Sequence, residues 1–407
     1  MPDPATKTTA AALRRRLGLP LLVLYGTGIT IGAGIYVLIG AVAGAAGAHA
    51  PWSFVLAAAV MTFTVASYAE LATRYPVSAG EAAYVRAAFG SKNLSTATGL
   101  LTIAIAVVSS AAVALGSAGY MKQFIDLPTG LLVVLIVGVL GAVAAWGILQ
   151  SVVLASLFTL IEVGGLVAII VAAMAADLPL TLTTPAMFDR TALAGIGFGS
   201  LLAFFAFIGF EDLANVVEET KDPRRDIPRA MVLTLIISTI LYVTIAVIAV
   251  SAVPVAELAA SPAPLSLVFR KLSNVSPATI SLIAIFATLN TILAQMTMAS
   301  RVVYGMAKQG DLPAAAGDVH PLTQTPLLAT AVISAMVIVL ALSVTFERLA
   351  ESTSIATLLV FALVNLALMR LHQTRAQSVN PHVRAPIWVP VIGFAACLTL
   401  IAMALLK

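Results

Sequence analysis

Backbone amides and carbonyls are the groups in this sequence best placed to bind a ligand. Residues 21–47 form an apolar stretch long enough to cross a bilayer, yet Gly26, Gly28, Gly32 and Gly34 lie in its middle. Glycine weakens a helix, and hydrocarbon offers no water to replace a lost hydrogen bond. We therefore expect a break in this helix whose freed backbone groups face protein or a polar ligand.

The predicted break has the chemistry of an anion site. An unwound turn at Gly32, Ala33 and Gly34 would present several unpaired N–H groups, and Ile31 would precede it. The half-helix that follows directs its positive end at the same place. A carboxylate fits such a site.

A second glycine-rich point occurs in the sixth apolar stretch, where Gly195, Gly197 and Gly199 are followed by Gly209. A break at Gly209 would free the carbonyl groups that precede it, which suit an ammonium group. These carbonyls belong to Ala206, Phe207 and Ile208. One zwitterion would therefore join the two breaks.

An aromatic side chain beside the second break has two interpretations. Phe205 or Phe207 would close over a ligand as a gate, or pack as an ordinary membrane phenylalanine.

The elements that position these residues are membrane helices. Hydrophobic residues make up 60% of the 407-residue chain and charged residues 10%. Apolar runs of about 18 or more residues predict eleven spans. They are 19–47, 51–73, 94–121, 129–147, 150–176, 192–216, 230–252, 278–306, 326–345, 348–370 and 387–406. The first is too long for a signal peptide, and the single Cys397 excludes an internal disulfide.

Basic residues predict the orientation of the spans. With the N-terminus in the cytoplasm, sixteen of the 22 lysines and arginines fall on the inner side. This excess agrees with the positive-inside rule, so the net charge of +4 reflects topology rather than nucleic-acid binding. We expect a multi-pass protein of the inner (plasma) membrane.

The two breaks lie at matching positions of an internal repeat. Five spans separate them, and an odd number inserts the second set of five helices from the opposite side of the membrane. This pattern predicts a cytoplasmic segment 1–18, a first repeat 19–176, a second repeat 192–370 and an extra helix 387–407. A central binding site between inverted halves is typical of transporters.

Glu162 is an acid in the middle of the fifth span. A carboxylate at that depth costs roughly 2.5–3.5 kcal/mol on insertion scales. It would serve as a proton carrier, which we rank first, as a cation ligand or as a hydrogen-bonded structural acid. Thr291 and Gln295 share a face of the eighth span, where they would contact Glu162 or the first break, or join helices as polar contacts.

Several ordered motifs resemble the amino acid–polyamine–organocation transporters. GITIGAGIY (28–36) is similar to the first helix of that family, and residues 68–85 to its connection between helices two and three. Similar blocks follow at 204–231, 298–313 and 353–371. The last block resembles the cationic amino acid transporter branch, and the whole resembles bacterial amino acid permeases.

The resemblance implies an all-α integral membrane fold of the LeuT type. This is a five-plus-five inverted repeat with discontinuous helices 1 and 6, usually followed by two more helices, and here only one extra helix is predicted. The family also places the backbone of an amino acid at the two breaks. Many members carry a lysine where Glu162 stands. Because glutamate carries the opposite charge, the role of that lysine does not transfer.

Other classes of protein fit less well. GTGITIG (26–32) lacks the strand and spacing of a dinucleotide site. The four histidines lie in or near loops, which argues against a buried catalytic or metal centre. A channel would use symmetric filters or charged rings. We expect no enzyme activity, cofactor or nucleic-acid partner, and the sequence leaves the oligomeric state open.

The predicted function is secondary active transport of amino acids by alternating access, with the lipid bilayer as environment. Few charges line the predicted pocket, which favours a neutral amino acid as the substrate. Glu162 favours proton-coupled uptake, with sodium as the other coupling ion. The alternative is an antiporter of cationic amino acids or polyamines.

Overall fold

The computed structural model describes residues 17–76, 80–146, 152–185, 189–273, 275–308, 310–320, 323, 325–374 and 383–405. Most of the predicted N-terminal segment lies outside these residues. No strand is present among the described residues, which hold only an isolated bridge between Leu17 and Thr220.

Fifteen α-helices make up the described chain. In order they are α1 (Leu19–Ile31), α2 (Gly34–Ala46), α3 (Ala50–Arg74), α4 (Gly80–Phe89), α5 (Lys92–Met121), α6 (Thr129–Trp146), α7 (Val152–Ala175), α8 (Arg190–Ala206), α9 (Pro223–Ala252), α10 (Val255–Ala260), α11 (Pro264–Leu272), α12 (Ala278–Lys308), α13 (Leu327–Ser343), α14 (Phe346–Gln373) and α15 (Trp388–Leu405). Short 3₁₀ helices occur at Gly47–His49, Phe210–Glu219 and Ala314–Gly317.

This is an all-helical, multi-pass membrane protein, as predicted. Among the described residues, nine helical segments are long and apolar enough to cross a membrane, and two shorter apolar helices are α1 and α13. One of the nine segments, Gly34–Arg74, contains the second half of the first predicted span and the whole second span, because a 3₁₀ turn joins α2 to α3. The eleven predicted spans each correspond to a helix or to a broken pair of helices.

Helix packing has the pattern expected of two inverted halves. Helices five spans apart pack together: α2 with α8, α3 with α9, α5 with α12 and α6 with α13. Contacts between unlike positions also come in matching pairs, since α1 packs on α9 as α8 packs on α3, and α6 packs on α12 as α13 packs on α5. A pseudo-two-fold relation between halves produces both patterns. The exact bounds of the two repeats stay a prediction.

The break in the sixth span lies later than its first three glycines. We expected those glycines to contribute to the break, but α8 runs unbroken from Arg190 to Ala206. A Cβ atom on Gly195 would lie 2.9 Å from the Ala45 carbonyl oxygen, and one on Gly199 would lie 2.5 Å from Ser53 Oγ. These glycines instead allow α8 to approach α2 and α3 closely.

The outward faces of the helices are apolar. Large exposed side chains on α6 and α13 include Leu135, Val139, Val332 and Val339. Such a surface would be costly in water and suits hydrocarbon. The interior contains buried tyrosines, of which Tyr36 and Tyr242 lie at the centre of the predicted site.

The buried side-chain amide of Asn365 joins α14 to α3 and packs against α15, the last described helix. Asn365 on α14 donates to Thr64 Oγ1 (3.1 Å) and accepts from Ser67 Oγ (2.7 Å), both on α3. The Asn365 side chain also lies against Gly393 of α15, where a Cβ atom would come within 2.6 Å of Oδ1. Polar contacts of this kind fix the relative position of membrane helices.

Replacing Asn365 by Ala removes these contacts and leaves two buried hydroxyls with fewer partners. We expect the variant to lose about 1–2 kcal/mol of stability, measured as a lower thermal unfolding midpoint in detergent. Thr399→Ala is the control, because this exposed hydroxyl on α15 bonds only to the Ala395 carbonyl of its own helix. Equal midpoints for the two variants would contradict the role of Asn365.

Candidate functional site

The first span breaks where the glycines predict it. Helix α1 ends at Ile31, and Gly32 has φ 22° and ψ −123°, a backbone conformation that favours glycine. Helix α2 begins at Gly34. The first N–H groups of α2 have no partner within their own helix and add to its positive end.

The N–H group of Ala33, the residue just before α2, is bound by the predicted site residue Thr291. The Ala33 N–H donates to Thr291 Oγ1 of α12 (3.2 Å), and that hydroxyl donates to the Ala287 carbonyl (3.0 Å). A Cβ atom on Gly32 would lie 2.5 Å from Thr291 Oγ1. Thr291 therefore holds the turn between α1 and α2 against the eighth span.

The second break follows α8. Phe207 and Ile208 form a turn in which their N–H groups donate to the Phe204 and Phe205 carbonyls. Gly209 has φ 128°, again a conformation that favours glycine. Its N–H donates to Glu211 Oε2 at 2.8 Å, and a 3₁₀ helix starts at Phe210.

The two breaks are in direct contact. A Cβ atom on Gly34 would lie 2.7 Å from Ala206 Cα, and one on Gly209 would lie 2.7 Å from Ile29 Cγ2. The end of each broken helix thus lies against the break in the other. Glycine at these two positions permits the backbones to approach.

Tyr242 of α9 links the breaks. Its hydroxyl lies 2.7 Å from both the Thr30 and the Ala206 carbonyl oxygens. A phenol has one proton, so the two carbonyls share a single donor. The Ala206 carbonyl, which we predicted to be available to an ammonium group, therefore has a partner in this structure.

The aromatic residues beside the second break are buried. Phe207 stacks edge-on against Tyr242 with the ring centroids 4.9 Å apart, and Phe205 is 6% exposed. Of the nine predicted substrate-binding residues, only Ile208 is partly exposed. The predicted site is therefore closed from both faces of the membrane.

Glu162 on α7 lies beside the first break and is 1% exposed. Neither carboxyl oxygen has a partner within hydrogen-bonding geometry, although Asn290 of α12 is near enough to interact with the carboxyl. The Glu162 backbone carbonyl accepts a hydrogen bond from the Tyr36 hydroxyl of α2 (2.5 Å). An acid with such poor solvation is costly as a carboxylate in this position.

Gln295 has other partners. Its Nε2 donates to Ser109 Oγ (2.9 Å), and its Oε1 accepts from Ser110 Oγ (3.2 Å), both on α5. Two turns earlier on α12, Thr288 donates to Ser117 Oγ (2.9 Å). Gln295 therefore joins α12 to α5, the second of the two roles that the sequence left open.

Buried side chains lie between the two breaks and the face of the membrane at which α1 begins. Tyr68 of α3 donates to Glu81 Oε1 of α4 (3.0 Å), and its ring packs against Phe210 and Phe361. Burial raises the pKa of the Glu81 carboxyl above its ordinary value, and the hydrogen bonds from its own backbone and from Tyr68 offset only part of that rise. These side chains separate the breaks from solvent on this face.

Sequence reasoning missed the tyrosines and the asparagine around the site. Tyr242, Tyr120 and Asn290 each place a polar group inside an apolar span, which is the available signal for them. Tyr120 donates to the Tyr36 carbonyl (2.5 Å). The sequence does not reveal which backbone groups these side chains bind.

Substitution of Gly34 tests the contact between the broken helices. We expect Gly34→Ala to force α2 from α8 and to lower stability by about 1–3 kcal/mol, because the obstructing atom is backbone. Amino acid binding should be lost with the same change. Thermal unfolding and equilibrium binding on purified protein measure both effects.

Gly164→Ala is the matched control, since a Cβ atom there meets nothing within 4 Å. Alanine favours a helix over glycine, so this variant should keep or gain stability and bind normally. Normal binding by Gly34→Ala would show that the site does not depend on this contact.

Comparison with known proteins agrees with this architecture. The family model described as "Amino acid permease" matches residues 22–407. The chain is 31% identical over 387 residues to the branched-chain amino acid permease BcaP of Bacillus subtilis, covering 89% of this chain and 82% of that protein. It is 31% identical over 397 residues to an uncharacterized transporter of Mycobacterium bovis, covering 95% and 86%.

A plant relative is matched over a smaller share of its length. The chain is 29% identical over 387 residues to the vacuolar cationic amino acid transporter 4 of Arabidopsis thaliana, covering 88% of this chain and 63% of the relative. The resemblance read from the motifs is confirmed. The chain belongs to the amino acid permease family of the amino acid–polyamine–organocation superfamily.

Proposed function

We propose that this protein is a secondary active transporter that takes up amino acids across the plasma membrane by alternating access. The observation that carries the proposal is the contact of two helix breaks inside the membrane, one offering N–H groups and the other carbonyls. These groups complement the carboxylate and ammonium of an amino acid. Binding and release, rather than catalysis, is the function that this site supports.

Alternating access requires the closed site to open to each face in turn. The hydrogen bonds that hold the breaks closed are few, because one Tyr242 proton serves a carbonyl from each break and one Thr291 hydroxyl holds the first break against α12. A zwitterion would offer an ammonium group to the Ala206 carbonyl in place of Tyr242. Replacement of one donor by another keeps the buried carbonyl paired during the exchange.

A neutral amino acid fits the site best. The side chains named at the two breaks include no lysine or arginine, and of their two acids, Glu162 and Glu211, the second already accepts a hydrogen bond from the Gly209 N–H. The Ser354 and Thr357 hydroxyls of α14 are buried without partners, and BcaP is named as a branched-chain permease. We therefore propose branched-chain or other small neutral substrates. Antiport of cationic amino acids or polyamines is the second candidate, which Glu162 and the plant relative favour.

A thermal-shift comparison separates the two candidates. A ligand stabilises the state that it binds, so we expect leucine, isoleucine or valine to raise the unfolding midpoint of the purified protein. Arginine, lysine and putrescine should leave it unchanged. Stabilisation by the cationic ligands alone would favour the antiporter, and stabilisation by none of these ligands would count against both candidates.

Coupling to protons is assigned to Glu162. We propose that it takes up a proton from the outside and releases it to the cytoplasm, so that proton entry accompanies uptake. A neutral carboxyl removes an uncompensated charge beside the first break and suits the closed state. The orientation follows from the predicted positive-inside bias, which places the start of α1 in the cytoplasm.

Glu162→Gln fixes this position in a neutral form. In proteoliposomes without sodium, the variant should exchange substrate across the membrane but fail to accumulate it under an imposed pH gradient. Glu257→Gln is the control, because this exposed acid makes only a surface ion pair with Lys271 (3.5 Å), and it should accumulate substrate normally.

Accumulation by Glu162→Gln at the wild-type rate would exclude the proton-carrier role. A strict sodium requirement in the wild type would instead favour Glu162 as a cation ligand.

A further inference from the structure

A cavity remote from the helix breaks lies between the end of α14 and the start of α15. Its volume is about 450 Å³, and the described residues that line it are His372, Gln373, Arg384, Ala385, Pro386 and Ile387. The cavity lies on the face at which α1 begins, because α14 and α3 both end there. Transport at the breaks does not use it.

A buried acid forms part of the cavity surroundings but is already neutralised. Glu70 Oε1 accepts hydrogen bonds from Arg74 and from His372 Nε2 (2.9 Å for the histidine), and Oε2 accepts from the Ala385 N–H (2.8 Å). The His372 and Ala385 donors join α14 and the segment before α15 to α3, while Arg74 bonds to Glu70 within α3. The three donors also leave little negative potential in the cavity, since a carboxylate with charged and backbone donors is well compensated.

Arg384 gives the cavity its charge. The residue is exposed and forms no salt bridge with any acid in the part of the chain that the structure describes. Helix α15 begins four residues later, so its positive end borders the same cavity. A guanidinium beside a helix N-terminus favours a phosphate group.

The residues that follow place the cavity at the edge of the bilayer. Ile387 is 48% exposed and Trp388 is 55% exposed, and the Trp388 ring packs edge-on against Phe63 at 6.5 Å. Tryptophan is enriched at the headgroup level of membranes. An anion bound to Arg384 would therefore lie beside apolar side chains that reach the acyl region.

We propose that this cavity binds the headgroup phosphate of an anionic phospholipid. Arg384 binds the phosphate in the positive field of the start of α15, where the Val389 N–H is already bonded to the Pro386 carbonyl, and Ile387 and Trp388 contact the glycerol and the first acyl carbons. Basic pockets between membrane helices on the cytoplasmic side bind anionic headgroups by this chemistry. Bound lipid would stabilise the attachment of α15 to α3 and α14 through the Glu70 contacts.

Phosphatidylglycerol retention tests the proposal. Full-length protein in detergent is titrated with phosphatidylglycerol or phosphatidylcholine, and bound lipid is counted by native mass spectrometry. We expect wild type to retain phosphatidylglycerol preferentially and Arg384→Ala to bind it roughly five- to tenfold more weakly. Arg225→Ala is the matched control, because Arg225 is exposed on the same face and lies outside the cavity.

Three results would overturn the assignment. Equal losses in the two arginine variants would indicate general attraction to surface charge. Displacement of phosphatidylglycerol by millimolar inorganic phosphate would show that the cavity takes a free anion, and equal retention of phosphatidylcholine would show that charge is irrelevant. Should Arg384→Ala fail to fold, Arg384→Gln is measured instead, and an unchanged preference in that variant also refutes the proposal. Amino acid binding by each variant, followed separately, shows whether the transport site is intact.

Discussion

The need to pair every backbone group in a membrane is the constraint on which this structure depends. Two helices are broken where water is excluded, and each freed N–H or C=O must find another partner. Tyr242 and Thr291 supply hydroxyls from the seventh and eighth spans, and Glu211 supplies a carboxylate. The breaks are therefore stable only because other helices lie against them.

Close approach of the helices is the second requirement, and small residues provide it. Gly34 lies against Ala206, Gly28 against Thr159, and Gly209 against Ile29. A Cβ atom on any of the three glycines would overlap a neighbour. The same residues that weaken the helices thus allow hydroxyl donors to reach the exposed backbone.

Charge is used sparingly in the described interior, and two of its buried acids, Glu70 and Glu162, have opposite environments. Glu70 receives three donors and joins α3 to α14 and to the segment before α15 at one face of the protein. Glu162 has neither carboxyl oxygen in hydrogen-bonding geometry. A compensated acid stabilises structure, whereas an uncompensated acid is poised to change its protonation. This contrast supports the assignment of coupling to Glu162 rather than to Glu70.

The sequence by itself determined the membrane class, the spans and the presence of both breaks, although Gly195, Gly197 and Gly199 lie in the unbroken helix α8 and only Gly209 marks the second break. Apolar run length and glycine at mid-span are local properties, and they predicted the turns at Gly32 and Gly209 within a residue or two. The tertiary structure alone decided which partners the freed groups take. Tyr242 bonds to Thr30 and Ala206, and Gln295 bonds to α5 instead of Glu162. Such contacts join residues far apart in the chain, and their geometry depends on how helices cross, which no local pattern encodes.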